Sequence, residues 1–148
     1  MSKLKKLGNP LLKLTKQEIS KPRNISVSFQ MVTNERRYTF EQFEENIRLG
    51  FQARKALDEL LVELSSHTWR DLGKRRKEQF GGFESLSLSQ IKSCLYKKSD
   101  LTPDMSVWVF RFSGKQYRLI AYKRAGDNEN VLYILGYDFD HSAYDHGS

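Results

Sequence analysis

The sequence has very little cysteine and no long apolar run. Cys94 is its single cysteine, which excludes an internal disulfide and a cysteine-based metal cluster and is typical of a reducing compartment. No stretch is long and apolar enough to be predicted as a transmembrane helix. The N-terminus is basic, but polar residues interrupt its apolar ones and no small-residue cleavage site follows, so no secretory signal is predicted. We therefore expect a cytoplasmic protein with no membrane partner.

What the chain does contain is an ordinary globular composition with an uneven positive charge. Its 148 residues are 39% apolar and 29% charged, enough for one domain with a substantial core. Of the net charge of +7, most lies in residues 1–24, which hold six lysines and Arg23 against Glu18. We predict a basic N-terminal arm over residues 1–24 and a domain over residues 25–148. Such an arm either contacts nucleic acid or is a solvated or partner-ordered extension.

Hydrophobic periodicity predicts one strand, two helices and then three strands. Residues 25–31 alternate apolar and polar side chains, which indicates a strand with one buried face. Thr39 and Gln42 form a capping-box pattern and predict the start of a long helix, and Thr68 predicts the cap of a second helix. The apolar residues of the long helix recur at three- or four-residue steps: Phe40, Phe43, Ile47, Phe51, Leu57, Leu60, Leu61 and Leu64. The segment LSLSQIKSCLYKK is ambiguous between strand and helix.

Three strands are predicted near the end of the chain, at residues 106–112, 117–124 and 131–139, joined by turn-forming sequences. The fold class is therefore α+β: an antiparallel sheet of about four strands, with two N-terminal helices on one face, in the order β-α-α-β-β-β. Helices that cover one face of such a sheet leave the other face open.

The hairpin VWVFRFSGKQYRLIAYKR places two like charges opposite each other. If its loop is symmetric about Gly114 and Lys115, Arg111 lies directly across from Arg118, an arrangement that an anion would relieve. If Arg124 pairs with Val131 in the next hairpin, the same face also carries a row of tyrosines: Tyr122, Tyr133 and Tyr137. Arginine side chains bind phosphate, and aromatic rings stack on unpaired bases. Together they predict a cleft for single-stranded RNA on this face. The alternative is that each arginine pairs with a nearby carboxylate or points into water.

The same hairpin resembles the central hairpin of the RelE/ParE toxin superfamily. Its strand ends in Arg, and a short turn leads to Tyr-Arg, two aliphatic residues and an aromatic residue. The sequence NVLYILGYDFDHSAYDH resembles the following strand and its late tyrosine. The resemblance covers residues 25–146, with motif-level similarity over residues 107–144. It implies the toxin of a toxin–antitoxin pair, which cuts mRNA on the ribosome without a metal or any other cofactor and has an antitoxin as protein partner.

The resemblance implies specific residues for this reaction, in which the RNA 2′-hydroxyl attacks the phosphate. Arg111 and Arg118 match the phosphate-binding arginines, and Tyr144 matches the late tyrosine. His141, or His146, is expected as an acid or base because histidine exchanges protons near neutral pH. RNA contacts are expected at the end of the hairpin and on the open face, through Tyr122, Lys123, Arg124 and Tyr137.

Three alternatives remain open from the sequence. The carboxylates and histidines of DFDHSAYDH (Asp138, Asp140, His141, Asp145 and His146) resemble a cluster of hard metal ligands, or else belong to a solvated tail. The basic run of Lys74, Arg75, Arg76 and Lys77 is either an RNA or ribosome contact or a solvated helix face. The whole domain is either a nuclease or a non-catalytic binding module of the same fold, acting on nucleic acid or on a protein such as a topoisomerase.

Overall fold

The structure is a computed structural model, and it describes residues 23–97, 99–124 and 130–145. It has the expected α+β architecture, in which one long helix packs against a sheet. Its strands are β1 (Ser26–Ser28), β2 (Phe83–Ser87), β3 (Ser106–Phe112), β4 (Tyr117–Lys123) and β5 (Val131–Asp138). Its α-helices are α1 (Ile47–Ser65) and α2 (Trp69–Gly73). Short 3-10 helices lie at Arg36–Tyr38, Phe40–Phe43, Leu88–Gln90 and Ser93–Leu95. Residues 1–22 of the predicted arm and His146 lie outside the described residues. Asn24, the last residue of the predicted arm, bridges to Thr68.

The sheet has five strands in the order β1-β5-β4-β3-β2 and is mixed, not purely antiparallel. β1 pairs parallel with β5, whereas every other neighbouring pair is antiparallel. The prediction of about four antiparallel strands was therefore incomplete. It missed β2, whose sequence FESLS is short and only partly buried, and which adds to the edge of β3. It also missed the parallel pairing, which a sequence pattern does not encode.

The long helix begins later than predicted. Thr39 caps only a 3-10 helix, Phe40–Phe43, through a hydrogen bond from the Glu41 amide to its hydroxyl. The α-helix starts at Ile47, where the Asn46 side chain accepts from the Leu49 amide at 3.1 Å. The second predicted helix, α2, is only about one and a half turns long, and a capping box between Thr68 and Asp71 begins it. The structure therefore has one main helix, α1, and a very short second helix, α2, instead of the two helices that were predicted.

One face of the sheet, the helix face, packs against α1. Its side chains come from the three central strands, and α1 contributes one stripe of residues three or four apart. These side chains are buried: Ala53, Leu57, Leu60 and Leu64 from α1, and Phe110, Phe112, Leu119, Ala121 and Ile134 from the sheet. Burial of this many large apolar groups is the main source of stability for a domain of this size.

The opposite face, called here the loop face, is not open. Residues 88–97 and 99–105, together with the C-terminal turn at residues 140–145, cover it. The ambiguous segment begins as a strand, because Leu86 and Ser87 end β2. From Leu88 onward it forms two 3-10 helices, and Leu88, Ile91 and Leu95 are buried in one cluster. A second core forms from side chains of both layers: Tyr38, Leu88, Ile91, Leu95, Val107, Val109, Ile120, Leu135 and Ala143. The expected open cleft along the sheet is therefore wrong, because apolar loop residues fill it.

The first hairpin has the predicted register and the second does not. In the first, Arg111 pairs with Arg118 and Phe112 with Tyr117. In the second, Tyr122 pairs with Tyr133 as expected, but a register shift between Ile120 and Ala121 moves the rest by one residue. A one-residue shift exchanges the faces of a strand. Tyr137 consequently lies opposite Leu119 on the helix face, and Asp138, instead of Tyr137, lies opposite Arg118.

Candidate functional site

Two arginines face each other on the loop face at the end of the first hairpin. Arg111 and Arg118 are directly opposed in register, as the hairpin sequence predicted. Arg118 is only 6% exposed, and its Nη1 donates to the carbonyls of Lys115 at 2.6 Å and Tyr117 at 3.3 Å. The Nε atoms of both arginines are buried and make no hydrogen bond to any described residue. Buried donors without partners are uncommon, and in guanidinium groups they suit an anion.

Asp138 shapes the chain next to this pair. Its carboxylate is fully buried opposite Arg118 and accepts hydrogen bonds from the amides of Ser142 at 3.0 Å and Ala143 at 3.2 Å. A carboxylate that accepts from two backbone amides fixes a tight turn. Asp138 therefore holds the C-terminal turn over the arginines.

The C-terminal turn brings Tyr144 to the arginine pair. Its backbone bridges to Ile91, and its hydroxyl donates to Oε1 of Glu84 in β2 at 3.1 Å. Glu84 also lies 3.6 Å from the Lys77 ammonium. Burial, followed by the negative charge of Glu84, raises the pKa of Tyr144 to about 12, while the adjacent Arg118 guanidinium acts in the opposite direction. At neutral pH this phenol is a hydrogen-bond and proton donor, not a base.

His141 lies on the other side of the same turn. It adopts a positive φ of 59°, a conformation that non-glycine residues rarely take and that makes the turn sharp. Its Nε2 is 2.6 Å from the carbonyl oxygen of Gln116, in the loop that precedes Arg118. Asp140 next to it accepts from Nε of Arg37 at 2.8 Å. His141 is exposed and therefore accessible to a ligand at this end of the sheet.

A groove of about 420 Å³ runs beside Tyr144. It lies between the first 3-10 helix of the loop layer and the C-terminal turn. Its lining combines hydroxyl and amide groups with one cation and one carboxylate: Ser89, Gln90, Ile91, Lys92, Ser142, Ala143, Tyr144 and Asp145. Such a groove is wide enough for a short extended ligand and polar enough to hydrogen-bond it.

Four residues expected to bind RNA lie away from the arginine pair. Tyr122 is on the loop face, but four residues further along β4 than Arg118, which is roughly 13 Å. Arg124 lies over the Tyr133 ring at 5.1 Å, at that same far end. Lys123 is on the helix face, 5.5 and 5.6 Å from the rings of two tryptophans, Trp69 and Trp108. Tyr137, also on the helix face, packs against Phe40 at 4.8 Å.

The basic run after α2 is divided between two partners: Arg75 pairs with Glu63 of α1, whereas Lys77 lies 3.6 Å from Glu84 of β2. Arg75 is not a free cation: it pairs with Glu63 at 3.0 Å and donates to the Phe80 carbonyl at 2.7 Å. The hydrogen bond that Arg75 donates to the Glu63 carboxylate lowers the pKa of Glu63. Lys74 and Arg76 are exposed. Arg75 is therefore engaged away from the arginine pair, and Lys77 is the member of the run that approaches the site, through Glu84.

The metal alternative has no geometric support within the described ranges, which hold no group of three or more His, Cys, Asp or Glu side chains able to ligate an ion. Asp138 and Asp140 are instead engaged by backbone amides and by Arg37, respectively. Cys94 is partly buried in the loop layer, and this burial raises the pKa of its thiol. A raised thiol pKa is the opposite of what a nucleophilic cysteine requires.

Glu84 is the site residue that the sequence did not reveal. It lies in the strand that was missed, and its place near Tyr144 depends on the pairing of β2 with β3, which sets Glu84 opposite Val109. A lone glutamate in a serine-rich segment carries no signal of its own. An assignment of FESLS as a fifth strand antiparallel to β3 would have placed Glu84 on the face that carries the arginines.

None of the described helices has the length and apolar character that crossing a membrane requires. In comparisons with known proteins, no protein family, no curated protein and no solved structure matches the chain.

Proposed function

We propose that the chain is a metal-independent endoribonuclease, the toxin of a toxin–antitoxin pair, which cuts mRNA on the ribosome. The observation that carries this proposal is the opposed pair of Arg111 and Arg118, which lies beside the Tyr144 hydroxyl. The buried Nε atoms of both arginines make no hydrogen bond to any described residue. Two guanidinium groups with unused donors suit the two negative charges of a phosphodiester in its transition state. The similarity of the hairpin to the RelE/ParE superfamily supplies the reaction class.

The arginines have different parts in the proposed reaction. Arg111 is partly exposed and is the first to meet a phosphate. Arg118 is held by the Lys115 and Tyr117 carbonyls and is nearly buried beneath the C-terminal turn. Its full contact with a phosphate therefore requires that turn to shift. Movement of a loop when substrate binds is a common way for an enzyme to complete its catalytic site.

The proton transfers follow from the Tyr144–Glu84 hydrogen bond. In the proposed reaction the RNA 2′-oxygen attacks phosphorus, and its proton passes to the Glu84 carboxylate. The bond from phosphorus to the 5′-oxygen breaks, and the Tyr144 hydroxyl protonates that leaving oxygen. The products are a 2′,3′-cyclic phosphate and a 5′-hydroxyl, so no metal or water enters the bond-making step. His141 is a second candidate acid, but its Nε2 lies 2.6 Å from the Gln116 carbonyl oxygen and would have to leave that contact to reach the leaving oxygen.

RNA would approach along the groove that Lys92 and Tyr144 line. Lys92 is exposed and supplies a cation for a neighbouring phosphate. The partners of such a protein are the ribosome with its mRNA and a cognate antitoxin, and its compartment is the cytoplasm. The distant cations Lys74, Arg76 and Arg124 would contact ribosomal RNA instead of the scissile phosphate.

The burial of Arg118 favours a second candidate function. If the C-terminal turn never leaves the arginine, the domain is a non-catalytic binding module of the same fold. Its target would then be nucleic acid or a protein such as a topoisomerase. The two candidates differ in whether mRNA is cut.

Expression of the full chain in growing cells distinguishes these functions. The nuclease predicts growth arrest with mRNA cuts that follow the reading frame, both lost in Arg118→Ala and retained in Lys97→Ala, an exposed cation away from the groove. Growth arrest with DNA damage and intact mRNA would support the binding module and contradict the nuclease. Cells that grow normally with confirmed soluble protein would contradict the assignment as a toxin.

A further inference from the structure

The outer surface of helix α1 carries large apolar side chains where solvent-facing residues are expected. Ile47 is 83% exposed, Phe51 is 71% exposed and Val62 is 66% exposed. The sequence pattern had placed Ile47 and Phe51 in the core because they continue the three- or four-residue steps of Phe40 and Phe43. Since the helix starts at Ile47 and the preceding segment is 3-10, those steps do not lie on one continuous helix. The two residues consequently face outward.

These residues form a stripe along α1. At about 100° per residue, Ile47, Phe51, Lys55, Asp58 and Val62 fall within roughly 80° of the helix circumference. The centre of this outer stripe lies about 150° from the centre of the buried residues Ala53, Leu57, Leu60 and Leu64. The helix is therefore apolar on two sides, and only one side is covered by the sheet. An exposed apolar helix face of this kind marks an interaction surface.

The charges within the outer stripe identify its occupant. Read along the helix, the stripe is apolar, basic, acidic and apolar, because Lys55 and Asp58 lie between Phe51 and Val62. If two copies of α1 pack antiparallel about a two-fold axis between residues 56 and 57, Phe51 of one copy meets Val62 of the other. Lys55 of each copy then meets Asp58 of the other. The stripe is thus complementary to itself, as an isologous interface requires.

The other arrangements of two helices are less favourable. A parallel pair in register would oppose Lys55 to Lys55 and Asp58 to Asp58. An antiparallel pair shifted to place Ile47 on Val62 would oppose Lys55 to Arg54 of the other copy, and Phe51 to Asp58. Charge pairs of this kind set the register and orientation of paired helices. The sequence of the stripe therefore selects one geometry.

We propose that the outer stripe of α1 is a homodimer interface, in which a second copy of this chain packs antiparallel with Phe51 on Val62 and Lys55 on Asp58. The surface is small: α1 has 19 residues, so its length is about 28 Å, and in this register Phe51 and Val62 are the apolar residues that meet across the two-fold axis. A single helix pair lies at the low end of specific interfaces. We expect a reversible dimer with a dissociation constant on the order of tens of micromolar.

Sedimentation velocity on the full chain across a wide concentration range tests this interface. Wild-type protein is expected to shift from monomer to dimer as concentration rises. Lys55→Glu opposes two carboxylates at each of two symmetric contacts and should weaken association about tenfold to a hundredfold. The double variant Lys55→Glu with Asp58→Lys exchanges the charges and should restore dimerisation. Lys97→Glu, the same charge change at an exposed residue of the loop layer, should leave dimerisation unchanged.

Rescue by charge exchange distinguishes loss of this interface from misfolding, because the three substituted positions, Lys55, Asp58 and Lys97, are all exposed. Far-ultraviolet circular dichroism of each variant confirms that the fold is retained. The proposal is overturned if wild type stays monomeric up to millimolar concentration, or if the double variant associates no better than Lys55→Glu. It is equally overturned if wild type is monomeric alone and the stripe becomes protected only when a different protein is added.

Discussion

The Tyr144 hydroxyl donates to Oε1 of Glu84 at 3.1 Å, across a separation of 60 residues in the chain. This hydrogen bond joins the C-terminal turn to the edge strand β2. Together with the two amide bonds to Asp138, it keeps the turn over Arg118. The same contact thus has a structural consequence, the covering of Arg118, and a proposed chemical one, the proton relay from the RNA 2′-hydroxyl to the leaving oxygen.

Tyr144→Phe separates these two consequences. Loss of one partly buried hydrogen bond should lower the free energy of unfolding by about 1 kcal/mol, measured by urea denaturation. Loss of the proton donor should slow mRNA cleavage by roughly 10²- to 10⁴-fold. Glu84→Gln is the matched variant, because an amide oxygen still accepts from the tyrosine while the base is gone. Unchanged cleavage by Tyr144→Phe would contradict the acid role of this residue.

The buried tyrosines predict how stability changes at alkaline pH. Burial is the largest cause that raises the pKa of Tyr38, of Tyr137 and, to about 12, of Tyr144. A phenol in the unfolded chain loses its proton near pH 10. The folded chain therefore binds more protons above pH 10, and the free energy of unfolding falls as pH rises from about 10 to 12. Below pH 10 these groups add no pH dependence.

Urea denaturation between neutral pH and the upper end of that range measures this decline. Because Tyr144→Phe removes one of the contributing phenols, its stability should fall less steeply above pH 10 than that of wild type. Parallel curves for the two proteins would show that the Tyr144 hydroxyl titrates as it does in the unfolded chain.

The opposed arginines predict an unusual salt dependence. Arg111→Gln removes a like-charge pair across two strands and should raise the free energy of unfolding at low salt by about 0.2–1 kcal/mol. The gain should shrink at about 1 M NaCl, where the Debye length is only about 3 Å. Lys115→Gln, at an exposed cation in the adjacent loop, is the control and should show little change. Destabilisation by Arg111→Gln at low salt would mean that its guanidinium supports the fold, contrary to this account.

Gly136 predicts how tightly the loop layer packs on the sheet. A Cβ added there would lie 2.5 Å from Cδ2 of Leu95 and 3.2 Å from both Cγ2 of Thr33 and the Tyr38 carbonyl oxygen. Gly136→Ala should therefore lower the free energy of unfolding by about 1–3 kcal/mol, because the covering layer must move outward. Gly73→Ala is the matched control, since no atom lies within 4 Å of its added Cβ. Equal thermal stability of the two variants would argue against a close-packed loop layer.

The sequence predicted the hairpin of β3 and β4 better than any other part of the fold. Its alternation of apolar residues and its short loop around Gly114 depend on local chemistry, which a pattern records directly. The register of Arg111 and Arg118 was correct for that reason. The bulge near Ile120 has no such local signal, because it depends on how β5 fits between β4 and β1. Tyr137 was consequently assigned to the wrong face.

The covering of the loop face was the largest failure of prediction. Leu88, Ile91 and Leu95 recur at three- and four-residue steps, which an amphipathic helix and a pair of 3-10 helices share. Only the tertiary contacts with Val107, Val109 and Ile120 distinguish the two. The start of α1 was missed for a related reason: Thr39 and Asn46 are both good caps, and packing of Phe40 and Phe43 against Phe139 selects the later one.

The central claim, that Arg111 and Arg118 bind the scissile phosphate, is tested most directly by an mRNA cleavage assay on translating ribosomes. A metal chelator is added only when the reaction is quenched and when the RNA ends are analysed. In wild-type reactions we expect cuts in the mRNA that leave 2′,3′-cyclic phosphate and 5′-hydroxyl ends. These cuts should be lost in Arg111→Ala and should persist in Lys97→Ala. Intact mRNA with soluble wild-type protein, or equal cleavage by wild type and Arg111→Ala, would contradict the claim that the opposed arginines bind the scissile phosphate.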